Sequence, residues 1–307
     1  PAWTQLARRR LRRQLDYLRR HYAVLPLIEI VGRLRAGRPL PARAAAVTFD
    51  DGYRNNYTCA WPVLRELGIP ATIFVSTGFI DRGEALWPDR LTLALHATPE
   101  RRVDFMGRTH SLASGAARAR ARAVIADELK TQPRAAKDRL LEDLFERLGP
   151  TPPTPVDFLP LRWDEVRAMH ASGQVDIGAH TVGHEILSQL DVAEQRWQIE
   201  ESCRRVAAEI DAPCRLFAYP NGRPSDFDGC SQEILAGNGV IGAVTTCEGL
   251  VRAGDDPLAL PRILVGANVE RDQFAVLASG LSTRWARLRA SWRRPAGVLD
   301  AVGSGVG

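Results

Sequence analysis

The stretch Thr48-Phe49-Asp50-Asp51-Gly52 ends a short apolar run, residues 45–49, with two adjacent carboxylates and a glycine. The run is typical of a buried strand, and the polar residues after it predict a loop at the strand's end. Two neighbouring carboxylates repel each other and raise one pKa, and a bound cation relieves that repulsion. In isolation the pattern is better explained as a plain turn, because Asp and Gly favour turns.

Outward from this stretch, predicted strands and helices alternate. A helix is expected over 55–67 and a strand over Ala71–Val75. After residue 160 the expected elements are helices over 163–172 and 192–211, with strands over Val175–Ala179, 215–219, 240–246 and 263–265. Strands that alternate with helices predict a parallel sheet, an α/β fold in which reactive groups gather at the carboxyl ends of the strands.

The alternation lapses between about residues 84 and 160, where we expect a helical insertion on the main domain. It contains a predicted hairpin over 103–112 around Gly107 and predicted helices over 116–131 and 135–148. The remaining divisions are an N-terminal helical segment, 1–40, with helices over 3–22 and 26–36, a main domain, 41–270, and a C-terminal helix with a disordered tail, 271–307.

Composition narrows the class of protein. With 45% hydrophobic residues the 307-residue chain can bury a sizeable core, and no apolar run is long enough to predict a membrane span. No signal peptide is visible after the Arg-rich start, so a cytoplasmic location is favoured over export. The arginines of 8–20 leave peripheral membrane contact open, but no recognised motif predicts nucleic-acid binding.

The second chemical segment is H-T-V-G-H, residues 180–184, directly after a predicted strand. Two histidines four residues apart meet on one face of a helix or tight turn, which suits two imidazoles on one cation. The alternative is a pair of ordinary surface or capping histidines. A third segment, P-N-G at 220–222, predicts a constrained turn that can aim the Asn221 backbone N–H at a developing oxyanion, or a simple strand-ending turn.

Together the three segments resemble, in order, the motifs of the NodB-like polysaccharide deacetylases, carbohydrate esterase family 4, over about residues 45–265. The resemblance implies a distorted (β/α)7-type barrel. It implies that Asp51, His180 and His184 hold one divalent metal, zinc by default, with Co²⁺, Ni²⁺ and Fe²⁺ as alternatives. Asp50 then resembles the general base that activates metal-bound water. The Asn221 backbone N–H resembles the group that donates a hydrogen bond to the oxyanion. The implied substrate is an N-acetylated amino-sugar polysaccharide or its precursor.

The chain departs from the family at two positions. Where the family's last motif supplies a histidine, in the pattern L-x-H, this sequence has Arg262, and no histidine follows His184. Arginine cannot act as a general acid, because its pKa lies above ~12. Ala218 stands where many members carry an arginine that pairs with the catalytic Asp. We therefore predict that Arg262 pairs with Asp50 and that the leaving amine takes its proton from Asp50 or from metal-bound water. The alternative is that Arg262 only tethers a strand end.

Two other functions remain open at this point. The same site could serve a deformylase or deacylase of a lipid-linked sugar, or hydrolyse another amide. A non-catalytic carbohydrate-binding relative is the third reading, although a scaffold has no need for an adjacent carboxylate pair.

Overall fold

The computed structural model describes residues 6–150 and 152–281. Within those residues the strands are β1 Ala23–Val24, β2 Ala44–Ala45, β3 Thr48–Phe49, β4 Ala71–Val75, β5 Arg102–Phe105, β6 Arg108–Ser111, β7 Val175–Ala179, β8 Leu216–Ala218, β9 Gly242–Glu248 and β10 Leu260–Arg262. The α-helices are α1 Arg8–His21, α2 Leu27–Arg35, α3 Trp61–Leu67, α4 Thr77–Arg82, α5 Trp87–Ala97, α6 Gly115–Lys130, α7 Arg134–Leu148, α8 Trp163–Ala171, α9 Val192–Ile210, α10 Gly229–Gly237 and α11 Arg271–Ala278.

The main sheet has six parallel strands in the order β10-β9-β8-β7-β4-β3. Helices lie in the connections between β3 and β4, β4 and β7, β7 and β8, and β8 and β9, as is usual for parallel strands, whereas β9 and β10 are joined by the non-helical segment 249–259. One face of the sheet packs against α8 and α9, and the other against α2. The sheet curls, so that its two edge strands approach each other: Arg262 at the end of β10 contacts Asp50 just after β3. The parallel α/β sheet expected from the alternation, and the barrel-type fold implied by the family resemblance, are therefore confirmed.

Gly178 in β7 allows close packing on the face of the sheet that contacts α2. A Cβ at this position would lie 2.5 Å from the Phe74 ring and 2.7 Å from the Leu216 carbonyl oxygen. Because the core cannot move aside freely, we expect Gly178→Ala to lower the free energy of unfolding by about 1–3 kcal/mol in urea denaturation. Gly32→Ala in α2 is the control, since its Cβ meets no atom within 4 Å, and an equal loss there would contradict this account.

The inserted unit, defined here as residues 87–148, comprises α5, α6, α7 and the β5–β6 hairpin. Helices α6 and α7 follow the helices predicted over 116–131 and 135–148 closely, whereas α5 was not predicted. The hairpin turns at Met106 and Gly107, with φ of 46° and 74°, the left-handed conformations that a tight hairpin turn needs. The unit has its own hydrophobic cluster, formed by Leu91, Ala94, Leu95, Val103, Phe105, Leu112, Ala121, Ile125, Ala126, Leu129, Leu141, Leu144 and Leu148.

Several elements differ from the sequence prediction. The strand predicted over 263–265 is wrong, because β10 ends at Arg262 and two of the three apolar residues after it, Leu264 and Val265, are exposed. Pro261 is tolerated there since β10 is an edge strand. The apolar run 45–49 splits, with β2 pairing to β1 and β3 to β4. Helices α4, α5 and α10 were not predicted, although Asp228 caps α10.

The chain's ends also bear on the predictions. Helix α1 packs Leu11, Leu15 and Leu18 into a cluster that includes Val63 of α3 and Phe274 of α11. Helix α11 falls within the predicted C-terminal helical segment, and the tail predicted beyond it, from residue 282, lies outside the described residues. Among the described helices none combines the length and apolarity that a membrane crossing needs.

Candidate metal centre

Three side chains predicted as metal ligands converge at the carboxyl ends of β3 and β7. The Asp51 Oδ1 atom lies 3.3 Å from His180 Nε2 and 3.2 Å from His184 Nε2. All three ligand atoms lie within 4.8 Å of one another. The parallel strand order explains the meeting, because β3 and β7 flank β4 and end at the same edge of the sheet.

A backbone contact sets the tautomer of His180. Its Nδ1 atom lies 2.6 Å from the Ala218 carbonyl oxygen at the end of β8, and its side chain is 2% exposed. A carbonyl only accepts hydrogen bonds, so Nδ1 carries the proton and donates it. The lone pair of Nε2 is then left facing Asp51. Metal-binding histidines are oriented in this way by a carbonyl or carboxylate behind the ring.

The loops that carry these residues have an unfavourable backbone. Asp51, Thr181, His184 and Asn221 have φ of 72°, 63°, 58° and 56°, and they are four of the seven non-glycine residues with positive φ in the described part of the chain. This conformation costs free energy for residues with a Cβ and persists only where surrounding contacts hold it. Its concentration in these loops indicates that side-chain placement outweighs local backbone preference.

The electrostatics of the cluster favour a cation. Burial by itself raises the pKa of Asp51, but the imidazoles of His180 and His184 that lie against the carboxylate outweigh burial and hold this pKa well below its usual range. Burial lowers the pKa of the His184 imidazole, and the hydrogen bond and charge of Asp51 more than reverse that change. The carboxylate therefore draws positive charge into the space between the three groups.

The geometry also fits a divalent metal. Two ligand atoms that are each 2.0–2.2 Å from a tetrahedral ion lie roughly 3.3 Å apart. The measured separations of 3.3 and 3.2 Å agree with that spacing. One carboxylate and two imidazoles suit Zn²⁺ and the neighbouring transition metals, and they leave coordination positions open for water and substrate.

Asp50 is not part of the three-residue cluster and is held by Arg262. The guanidinium Nη1 and Nη2 atoms lie 2.8 and 2.7 Å from the two carboxylate oxygens. The Arg262 Nε atom donates to the Thr245 carbonyl at 2.7 Å, which fixes the fork. Burial raises the pKa of Asp50, but the charge and hydrogen bonds of Arg262 bring this pKa below its ordinary value. The contact predicted between Arg262 and Asp50 is thus present, and it keeps the carboxylate ionised.

Asn221 lies in the loop after β8, the strand whose last residue binds His180. The Asn221 carbonyl accepts a hydrogen bond from the Thr246 hydroxyl. The next residue, Gly222, has φ of 69°, and a Cβ there would lie 2.9 Å from the Thr246 backbone nitrogen. The predicted constrained turn is present, and the role of the Asn221 N–H stays a prediction.

Known proteins agree with this architecture. Residues 37–228 match the polysaccharide deacetylase family. The chain belongs to this family. The matched range contains Asp50, Asp51, His180, His184 and Asn221, whereas Arg262 lies beyond it. The family assignment therefore confirms the resemblance inferred from the three motifs, and the Arg262 contact is an observation on this chain alone.

Individual relatives are more distant. A poly-β-1,6-N-acetyl-D-glucosamine N-deacetylase of Escherichia coli K12 is 40% identical over 62 residues, which is 20% of this chain and only 9% of that protein's length. Among solved structures, the Streptococcus pyogenes deacetylase PplD in complex with acetate has a TM-score of 0.60 at 18% identity, covering 89% of this chain and 87% of that one. IcaB from Ammonifex degensii has a TM-score of 0.55 at 22% identity, covering 89% of each. At these identities the two structures establish the shared fold.

Two contacts near the site were not predicted from the sequence. The Tyr53 hydroxyl donates to Asp89 of α5 at 2.5 Å, and Lys137 of α7 forms an ion pair with Glu185. Asp89 and Lys137 belong to the inserted unit and are far from the three motifs along the chain, so no spacing rule connects these residues with the motifs. One signal was available: Lys137 is one of only two lysines in an arginine-rich sequence.

Proposed function

We propose that the protein removes N-acetyl groups from an amino-sugar polysaccharide or its precursor, with one divalent metal held by Asp51, His180 and His184. The observation that carries the proposal is the convergence of these ligands beside Asp50, a separate carboxylate kept ionised by Arg262. Membership of the polysaccharide deacetylase family and the activity named for the Escherichia coli relative support the substrate class.

A divalent cation bound at these three residues supplies Lewis-acid polarisation of the amide carbonyl and lowers the pKa of water. Asp50 accepts the proton of the attacking water, because it is ionised and its two oxygens are fixed by the Arg262 fork. The Asn221 backbone N–H donates to the oxyanion that develops on the acetyl carbonyl. Together these groups promote attack on the carbonyl carbon.

The second half of the reaction breaks the carbon–nitrogen bond and needs a proton on the leaving amine. Arg262 cannot give one, because its pKa lies above ~12. Asp50 holds the proton taken from water and returns it to the nitrogen, so that acetate and a free amino sugar are formed. One carboxylate thus serves first as base and then as acid.

The test is acetate release from N-acetylglucosamine oligomers, measured together with metal content. We expect activity to disappear on treatment with a chelator and to return when Zn²⁺ or Co²⁺ is added. A protein that binds metal but releases no acetate would favour deformylation or deacylation of another amide, including one on a lipid-linked sugar. A protein that does neither would point to a non-catalytic carbohydrate-binding relative.

A further inference from the structure

We propose that the inserted unit positions the metal-binding loops and that Lys137 is its principal positioning residue. This inference rests on the proposed metal site. The inserted unit packs its hydrophobic cluster from its own residues, so apolar burial stabilises the unit internally. Its described contacts with the ligand-bearing loops are polar, and directional contacts of this kind fix one element against another.

The first contact is the ion pair of Lys137 with Glu185. The two side chains are only 6% and 12% exposed, and the Lys137 ammonium also lies 6.0 Å from the centre of the Trp87 ring. Glu185 directly follows the ligand His184. A buried ammonium is costly unless it is paired, so the position of α7 and the position of Glu185 depend on each other. Any displacement of Glu185 is transmitted through one backbone unit to His184.

The second contact runs from the same helix to the other side of the loop. Arg134 lies 3.2 Å from Glu194, whose carboxylate accepts from the Gln198 amide at 3.2 Å. The Gln198 oxygen in turn accepts from the backbone N–H groups of Val182 and Gly183, both at 3.0 Å. These two N–H groups lie between the ligands His180 and His184. Helix α7 is therefore linked to the loop at two points.

The third contact concerns the other ligand-bearing loop. Asp89 of α5 is 5% exposed and accepts from the hydroxyl of Tyr53, two residues after the ligand Asp51. The inserted unit thus bonds to both loops that supply metal ligands. If these contacts only attached the inserted unit to the main domain, they would not need to lie beside both ligand-bearing loops. Contacts that set the distance between the two loops must lie beside both.

The consequence should appear in metal affinity. His184 has a left-handed backbone, which relaxes when the contacts that hold it are removed. Loss of a group that supports a metal ligand typically costs 10- to 100-fold in affinity. We expect Lys137→Met to raise the dissociation constant for Zn²⁺ by about tenfold, measured by competition with a chromogenic chelator.

Two further variants complete the experiment. Lys130→Met replaces the chain's other lysine, on α6 of the same unit, and should leave the dissociation constant within twofold of wild type. Lys137→Arg keeps the charge and should recover part of the lost affinity. Thermal unfolding of each zinc-free variant distinguishes a positioning role from a purely structural one. If Lys137 were only a structural tether, its replacement would lower the melting temperature and leave the zinc affinity unchanged.

Amide hydrogen exchange of residues 181–185 in the zinc-free protein gives a second measurement that needs no metal. Lys137→Met should speed this exchange by about tenfold, because local opening becomes easier. Zinc affinity of Lys137→Met within twofold of wild type would overturn the inference. A wild-type protein that binds no zinc would instead defeat the proposed function, and unchanged exchange in the variant would then overturn the positioning role as well. If Lys137→Met does not fold, Arg134→Gln tests the second contact by the same two measurements.

Discussion

Replacement of Asp50 by Asn should lower kcat/KM for deacetylation by about 10²- to 10⁴-fold, the range that general-base catalysis contributes. The amide has nearly the same shape but cannot accept the proton of the attacking water. The affinity for Zn²⁺ should stay within a few-fold of wild type, because Asp50 contacts Arg262 and lies apart from the three ligands. Steady-state acetate release and chelator competition measure the two quantities.

His184→Ala is the matched comparison for this variant. Its loss of an imidazole 3.2 Å from Asp51 should remove zinc binding and activity together. If Asp50→Asn also lost its zinc, Asp50 would be a ligand and the division of roles between the adjacent carboxylates would be wrong. Full activity in Asp50→Asn would exclude it as the base.

Replacement of Arg262 by Ala should lower kcat/KM by about 100-fold at neutral pH, near the upper end for groups that orient catalytic residues. The variant loses both hydrogen bonds that hold the Asp50 carboxylate and the charge that keeps it ionised. Arg262→Lys should recover only part of the loss, because an ammonium restores the charge without the two-pronged geometry.

The pH profile of the same variant provides an independent check. Burial raises the pKa of Asp50, and in the wild type Arg262 outweighs that effect. Activity needs the ionised carboxylate, so it is present above this pKa and is lost as the pH falls through it. Without Arg262 the effect of burial remains, and the acidic limb of kcat/KM should move to higher pH. An acidic limb at the wild-type position, with an unchanged rate, would show that Arg262 only tethers a strand end.

A surface arginine serves as control for both measurements. Arg196 forms an exposed pair with Glu200 on α9, and exposed pairs of this kind contribute little to stability. Arg196→Ala should leave the rate and the pH profile unchanged. A comparable loss there would point to a general effect of removing positive charge.

Much of the site could be predicted because its residues lie in short contiguous segments at strand ends. Asp51, His180 and His184 are placed by the parallel strand order, which the alternation of strands and helices already predicts. The contact of Arg262 with Asp50 spans 212 positions, and it was inferred from two departures from the family pattern rather than from periodicity. The strand that carries Arg262 was nevertheless predicted at 263–265 instead of Leu260–Arg262, because an exposed apolar run resembles a buried one in sequence.

The contacts of the inserted unit could not be predicted in the same way. Helical periodicity shows which face of α7 is buried within the unit, but it does not show the direction in which the unit docks. The ion pair of Lys137 with Glu185 depends on that direction. The split of the run 45–49 has a similar cause, since two short strands pair with different partners that only the folded chain supplies.

The strand order gives the Arg262 contact a mechanical meaning. In the described sheet β3 and β10 are the two margins, and neither neighbours the other. Arg262 donates hydrogen bonds to both Thr48 and Asp50, so side chains link the two edge strands where no backbone pairing closes the sheet. The three ligands all lie in the loops that follow β3 and β7, on the β3 side of that gap. If the sheet uncurled slightly, Arg262 would move away from Asp50 and the base would lose its support, while the three ligands kept their relative positions. The curvature of the sheet is therefore itself a determinant of catalytic activity.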